Sequence, residues 1–407
     1  MIRSVLWLTA PAMLLLCTGA ADWPQFLGPN RNGAVADTLP AWPKDGPSAR
    51  WQRSVGEGFS GPIVVGDRLV LFHRLGEREV LEAMDASTGR VLWKSDYATH
   101  YQDDFGFEEG PRATPCAHES QLFTYGADGM ISAWALTNGM KQWSVDAKSE
   151  FGSPKGFFGR ACSPLVEGEA VILNVGGRNG AGIVALARSN GHLLWKATED
   201  EASYSSPVSA VLGGVRRVVM LTRGHLVVMN PSDGRVLVER PFRPANPSSV
   251  TAATPLVLGE QLFISASYGA GAALLQWREK RLDTIWEEDH IMSCHYATCV
   301  QHEGFLYGFD GRQEQGCVLR CVELANHRVR WSEPGLKAGT VTLAGRELLV
   351  LTEGGQLLRA PASPETFKVS ARAQLWPDGV RAHPALADGR FYARSKNKLI
   401  CVDLNHR

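Results

Sequence analysis

The sequence predicts an all-β fold, an eight-bladed β-propeller of four-stranded antiparallel blades whose last blade is closed by the N-terminal strand. The first sign is a recurring hairpin, clearest at Ala83–Trp93, where an apolar strand meets a glycine-containing turn and a second strand carrying tryptophan. It returns at Ala133–Trp143, Ala185–Trp195 and Val228–Val238, and more weakly at Leu275–Trp286, Val322–Trp331 and Leu358–Trp376, the last with an enlarged turn. With Trp51 leading, the series 51, 93, 143, 195, 238, 286, 331, 376 advances by about 46 residues per step, the length of one blade. A second series keeps step with it: Gly61-Pro62, Thr114-Pro115, Ser163-Pro164, Ser206-Pro207, Thr254-Pro255 and His383-Pro384, with Cys299 and Val341 in the two remaining places. Proline cannot donate to a β-ladder and is tolerated at a strand's first residue, so each marks the start of a blade's innermost strand. Lastly, Ala385–Leu404 reads as three strands lacking a fourth, and Arg50–Ser54 as a fourth lacking three. Pairing them completes the eighth blade and leaves no open sheet edge between the ends.

Taken from the N-terminus, residues 1–21 read as a secretory signal peptide: Arg3, an apolar run Val5–Cys17, then the small residues of Thr18–Ala21. The run is shorter than the roughly 20 residues a membrane-spanning helix needs, and later uncharged stretches such as Gln261–Trp277 are interrupted by Ser, Gly and Gln. No transmembrane segment is expected, and the protein should be exported to the periplasm or the extracellular space. Leu16 stands before Cys17 where a small residue would precede a lipidated cysteine, which argues against a lipid anchor there. Seven cysteines follow Cys17, an odd number too sparse for a disulfide scaffold. Residues 22–49 form an N-terminal extension and residues 50–407 the propeller. The 42 basic and 42 acidic side chains balance, so no positive field draws nucleic acid, and no nucleic-acid partner is expected.

The repeat bearing Ala83, Asp85, Thr88-Gly89 and Trp93 resembles that of the pyrroloquinoline-quinone (PQQ) enzymes and the related PQQ-like propellers. The stretch Asp22-Trp-Pro-Gln-Phe-Leu-Gly-Pro-Asn-Arg-Asn-Gly33 resembles the leader of exported bacterial members of that family. Size and blade number also resemble the BamB-like propeller lipoproteins of outer-membrane barrel assembly, which are scaffolds. The resemblance implies the fold strongly and the function weakly. The repeated Gly and Trp positions have structural explanations, the one supplying positive-φ turns and the other packing between blades.

Functional groups belong on the loops that lead from each outer strand to the next blade's inner strand, because those vary in length. The loop Lys94–Arg112 carries Tyr97, His100, Tyr101, Asp103, Asp104, Phe105, Phe107, Glu108 and Glu109, aromatic and acidic groups suited to a cationic or carbohydrate-like ligand or to Ca2+. The loop Asp146–Ala161 offers Phe157, Phe158 and Arg160, suited to an anionic ring system or a protein anchor. Arg381 and His383 join Arg112 and Arg160 near the inner strand starts as candidates for an anion-binding channel mouth. A self-packed lid over the channel is the structural alternative for both loops.

No metal site and no catalytic residue is assigned. His290, Cys294, His295 and Cys299 fit zinc-ligand spacing poorly, and no Gly-x-Ser-x-Gly elbow occurs. The glycine-rich stretch Gly176–Gly182 lies between two strands of one blade and reads as a hairpin loop. The enzymatic alternative is a quinoprotein dehydrogenase for an alcohol or sugar, with PQQ held on Ca2+. Against it, the sequence contains no adjacent cysteine pair of the kind the resemblance would place beside the quinone. The expected function is therefore a non-catalytic binding or scaffold protein of the cell envelope, without a cofactor, taking an envelope protein, peptide or saccharide on its loop face.

Overall fold

The computed structural model describes residues 22–405 except 44–45, 245, 247–248, 378 and 380; the signal peptide expected at residues 1–21 lies outside the described residues. Among these residues eight antiparallel sheets follow one another, seven with four strands and one with a fifth. Blade 1 runs Ile63–Val65, Arg68–Leu75, Arg78–Asp85 and Val91–Ala98, and the later blades repeat this order. The eighth closes as expected: Ala49–Ser54 pairs antiparallel with Lys398–Asp403, placing Trp51 opposite Cys401. The middle strands are buried on both faces, since each sheet is sandwiched between two others. Apolar clusters accordingly span neighbouring blades, as where Phe123 and Ile131 meet Val171 and Leu173. The core is a ring of such layers.

The tryptophans fasten the layers to one another. Trp51, Trp93, Trp143, Trp195, Trp286 and Trp331 each donate Nε1–H to a backbone carbonyl at the hairpin turn of the next blade, at 2.7–3.0 Å. Each ring also lies against that turn, and a Cβ on Gly191 would come within 2.7 Å of Trp143. Gly191 has φ 75°, so glycine is required there both for its backbone conformation and for the ring beside it. Two places differ. Val238 holds the place of a tryptophan and precedes a blade whose turn is the short Glu279-Lys280. The expected last member fails: the fourth strand of blade 7 is Ala371–Gln374, so Trp376 lies beyond it, buried in the layer shared with blade 8. The connection between Pro361 and Ala371 is the enlarged turn expected there, and the strand it leads to ends at Gln374, before the tryptophan is reached.

The strand-start series has a physical role beyond proline. The amides of Gly61, Thr114, Ser163, Ser206 and Thr254 donate in turn to the hydroxyls of Thr114, Ser163, Ser206, Thr254 and Thr298, at 2.9–3.3 Å. A belt of hydroxyls thus links the starts of the inner strands from blade 1 to blade 6. It persists at Thr298, where the following residue is Cys299, so the hydroxyl is the more persistent signal.

The extension that precedes the first blade enters this belt from inside. Trp23 bridges to Val64, the Pro24 carbonyl accepts from the Ala117 amide, and Ala34–Val35 pairs in parallel with Leu343 and Ala344. Arg31 is buried, its guanidinium donating to Gln25 Oε1 (2.8 Å) and to the carbonyls of Ser163 (3.3 Å), Pro207 (2.9 Å) and Pro164. Burial pulls its pKa below the usual arginine range. The leader is therefore a plug in the central channel.

Candidate functional site

Where the plug ends, the loops from outer to inner strands enclose a cavity of about 210 Å3. Phe26 of the plug lies against His383 in an edge-to-face contact, with ring centroids 5.1 Å apart, and both line the cavity. Burial lowers the His383 pKa to about 4, opposed only by an interaction with the Tyr296 backbone, so this imidazole is neutral near pH 7. Ser163 and Ser206 of the hydroxyl belt also line the cavity.

The walls combine rings and guanidinium groups. Arg112 Cζ stands 5.5 Å from the Phe59 centroid and 5.9 Å from that of Phe158. Arg381 Cζ stands 5.8 Å from Phe59 and 5.9 Å from Phe107. Two cations therefore share one phenyl ring, an arrangement favoured by the ring's negative face. Arg112 has its side chain only 8% exposed, donates to the Glu108 carbonyl at 2.9 Å, and has its carboxylate partner, Asp103, no closer than 3.7 Å. Arg381 pairs with Glu353 at 2.8 Å, and Glu353 also accepts from the Tyr296 hydroxyl at 3.2 Å. His295 donates from Nδ1 to Gln313 Oε1 (2.7 Å) and receives the Tyr268 hydroxyl on Nε2 (3.2 Å), and burial lowers its pKa.

Two loops hold this arrangement. The first begins at residue 99, because the strand Val91–Ala98 runs further than the sequence suggested. The second starts with a short helix, Ala147–Phe151, capped by Asp146, which accepts from the Lys148 amide at 2.9 Å. Asp104 and Lys155 join the two loops at 2.7 Å. Phe105 and Phe107 pack on Phe158 with centroids 5.2 and 5.9 Å apart, yet are about half exposed, at 52% and 50%.

Of the residues singled out in the sequence, Phe107, Arg112, Phe158, Arg381 and His383 converge on the cavity. The others do not line it. Tyr97 lies in a strand, stacks on Trp134 and donates to the buried Glu79. Tyr101 is buried under Arg112 and Lys155, and Asp103 accepts from the Glu108 amide at 3.3 Å; both organise the loop. Arg160 is buried and donates to the Ser153 carbonyl at 2.7 Å, while Phe157 lies under Arg223. His100 is exposed. Sequence reasoning missed Phe26, Phe59, Tyr204, Tyr268, His295 and Tyr296 as one group, because they come from five different segments that only ring closure brings together. His290 and His295 do not cluster with Cys294 and Cys299 as a ligand set: His290 is exposed and both thiols are buried and free. Among the described residues, Asp200, His225 and Glu239 are the one group with three potential metal ligands close together. None of the three lines the cavity.

The profile described as "Outer membrane protein assembly factor BamB" matches residues 77–333, more than half of the chain. The chain belongs to the BamB family. A BamB of Burkholderia pseudomallei (strain K96243) is 24% identical over 345 residues, covering 75% of this chain and 85% of that protein. The crystal structure of BamB from Moraxella catarrhalis superposes with a TM-score of 0.63 at 16% identity, over 88% of this chain and 99% of that one. A quinohemoprotein alcohol dehydrogenase from Comamonas testosteroni reaches 0.70 at 13% identity, over 95% of this chain and 81% of that one. At such identities a BamB and a quinoprotein are alike in fold, and fold by itself does not choose between them. Among the described residues of this BamB-family chain, no helix is long and apolar enough to cross a membrane.

Proposed function

We propose that this protein is an exported, non-catalytic scaffold of the cell envelope that docks a partner protein on its loop face, in an assembly role like that in its relatives' name. The observation that carries this reading is the pair Phe105 and Phe107, half exposed, buttressed by Phe158 and set at the mouth of a cavity rimmed by Arg112 and Arg381. Exposed aromatic groups on a rigid base, next to a pocket with arginine, are the usual anchors of a protein interface. The ring beneath is braced by the hydroxyl belt and the tryptophan contacts, so the loops sit on a fixed platform.

The donor set supports leaving a calcium-bound quinone out of this reading. Glu314 is the one carboxylate among the cavity's lining residues, whereas Ca2+ takes roughly six to eight oxygen ligands, usually including several carboxylates. The test is the double variant Phe105→Ser/Phe107→Ser. It should unfold at the same temperature as the parent, within about 2 °C, because neither ring is in the core. Cells carrying it in place of the parent should accumulate less folded outer-membrane protein, and photo-crosslinkers at 105 and 107 should trap one envelope protein. Full assembly with the double variant, or equal crosslinking from the exposed Leu193 on the outer rim, would refute the reading.

A further inference from the structure

The docking reading leaves open what enters the cavity, and the chemistry of its walls narrows the answer. A volume of about 210 Å3 is below the roughly 300–1,000 Å3 of small-molecule and cofactor sites, and suits one side chain delivered by a larger molecule. The apolar wall formed by Phe26, Phe59 and Phe158 suits a ring. The rim carries two guanidinium groups, Arg112 and Arg381, against one carboxylate, Glu314. The Arg112 side chain is more than nine-tenths buried with no carboxylate within 3.5 Å, and its weak pairing to Asp103 leaves room for a stronger anion. Arg381 offers its Nε to Glu353 and also lines the cavity. Both guanidiniums lie against Phe59, so an anion between them would sit beside any ring on the floor. Phe107 lines the cavity while remaining half exposed, and Phe105, which packs on Phe158 without lining the cavity, continues the aromatic surface outward, as expected if the occupant extends beyond it.

Resting on the docking reading, we propose that the cavity is a socket for an aromatic side chain flanked by acidic residues in a segment of the partner protein. The ring packs on Phe26, Phe59 and Phe158, and the neighbouring carboxylates pair with Arg112 and Arg381. A lysine-flanked ring would meet like charge at the rim, and an acidic segment without a ring would leave the apolar floor unfilled.

The test is calorimetric titration of the full-length mature protein with twelve-residue peptides carrying Glu-Phe-Glu, Lys-Phe-Lys or Glu-Ala-Glu at the centre. The first should bind at least tenfold more tightly than the other two, and more weakly as salt rises. Arg112→Gln/Arg381→Gln should reduce its affinity at least tenfold. Arg381→Gln alone, at a partly exposed site, should give an intermediate loss if the double variant proves unstable. Equal binding of the acidic and basic peptides, binding unaffected by either variant, or no binding at all would overturn the socket. So would benzoate binding as tightly as the peptide, since the site would then serve a small aromatic acid. Crosslinking at 105 and 107 that survives such a result would show that the socket has failed and the docking face has not.

Discussion

Single residues in this protein are decided by where their polar atoms end up. Arg112 and Arg160 both sit near strand starts and are indistinguishable in sequence, yet one borders the cavity and the other donates into its own loop. The buried histidines have a measurable consequence. Burial holds His383 near pKa 4 and lowers His73 and His295 as well, against about 6.5 in an unfolded chain. Above pH 6.5 both states are neutral and stability is undiminished. As the pH falls from there toward 4, the unfolded chain takes up protons that the folded protein refuses, so stability is lost across that window. His383 alone accounts for up to about 3 kcal/mol of this. The unfolding midpoint should drop between pH 6.5 and 4, and His383→Phe should drop less steeply. An identical slope in the variant would contradict the assignment.

At the scale of the hairpin, a glycine and the preceding blade's tryptophan form one unit. Gly191 carries φ 75° and faces Trp143, so Gly191→Ala combines backbone strain with a Cβ 2.7 Å from the ring. The expected cost is about 2 kcal/mol or more, because strain and overpacking add. Trp143→Phe removes the bond to the Arg188 carbonyl and part of the ring, for about 1–2 kcal/mol. A double-mutant cycle in urea should show coupling, since alanine at 191 is better tolerated once the larger ring is gone; strict additivity would refute the unit. This contact was legible in the sequence because both partners recur at blade spacing. Trp376 was misread by the same logic, since it stands at the expected interval but beyond the strand of blade 7, which ends at Gln374.

Over the whole molecule, the leader closes the ring from inside. Arg31 donates to carbonyls of two blades while its chain neighbours touch others, so the plug joins parts of the ring far apart in sequence. Arg31→Ala would leave those carbonyls facing a void and should cost about 3 kcal/mol in unfolding free energy, read from denaturant melts. Gln25→Ala, which removes one neutral partner, should cost about 1 kcal/mol. Equal, negligible losses would mean the plug is passive. The repeat period, the hairpins and the closure of the eighth blade could all be read from the sequence, because each is a local pattern repeated at fixed spacing. Even the hydroxyls of the belt stand in plain view before the prolines, though nothing in one dimension says that they face their neighbours. The cavity could not be read in this way. Its walls come from connections spread from Phe26 to His383, of differing length and without shared pattern. Periodicity specifies a blade; only closure of the ring, with the leader inside it, decides which loop side chains meet and which are spent on their own backbone.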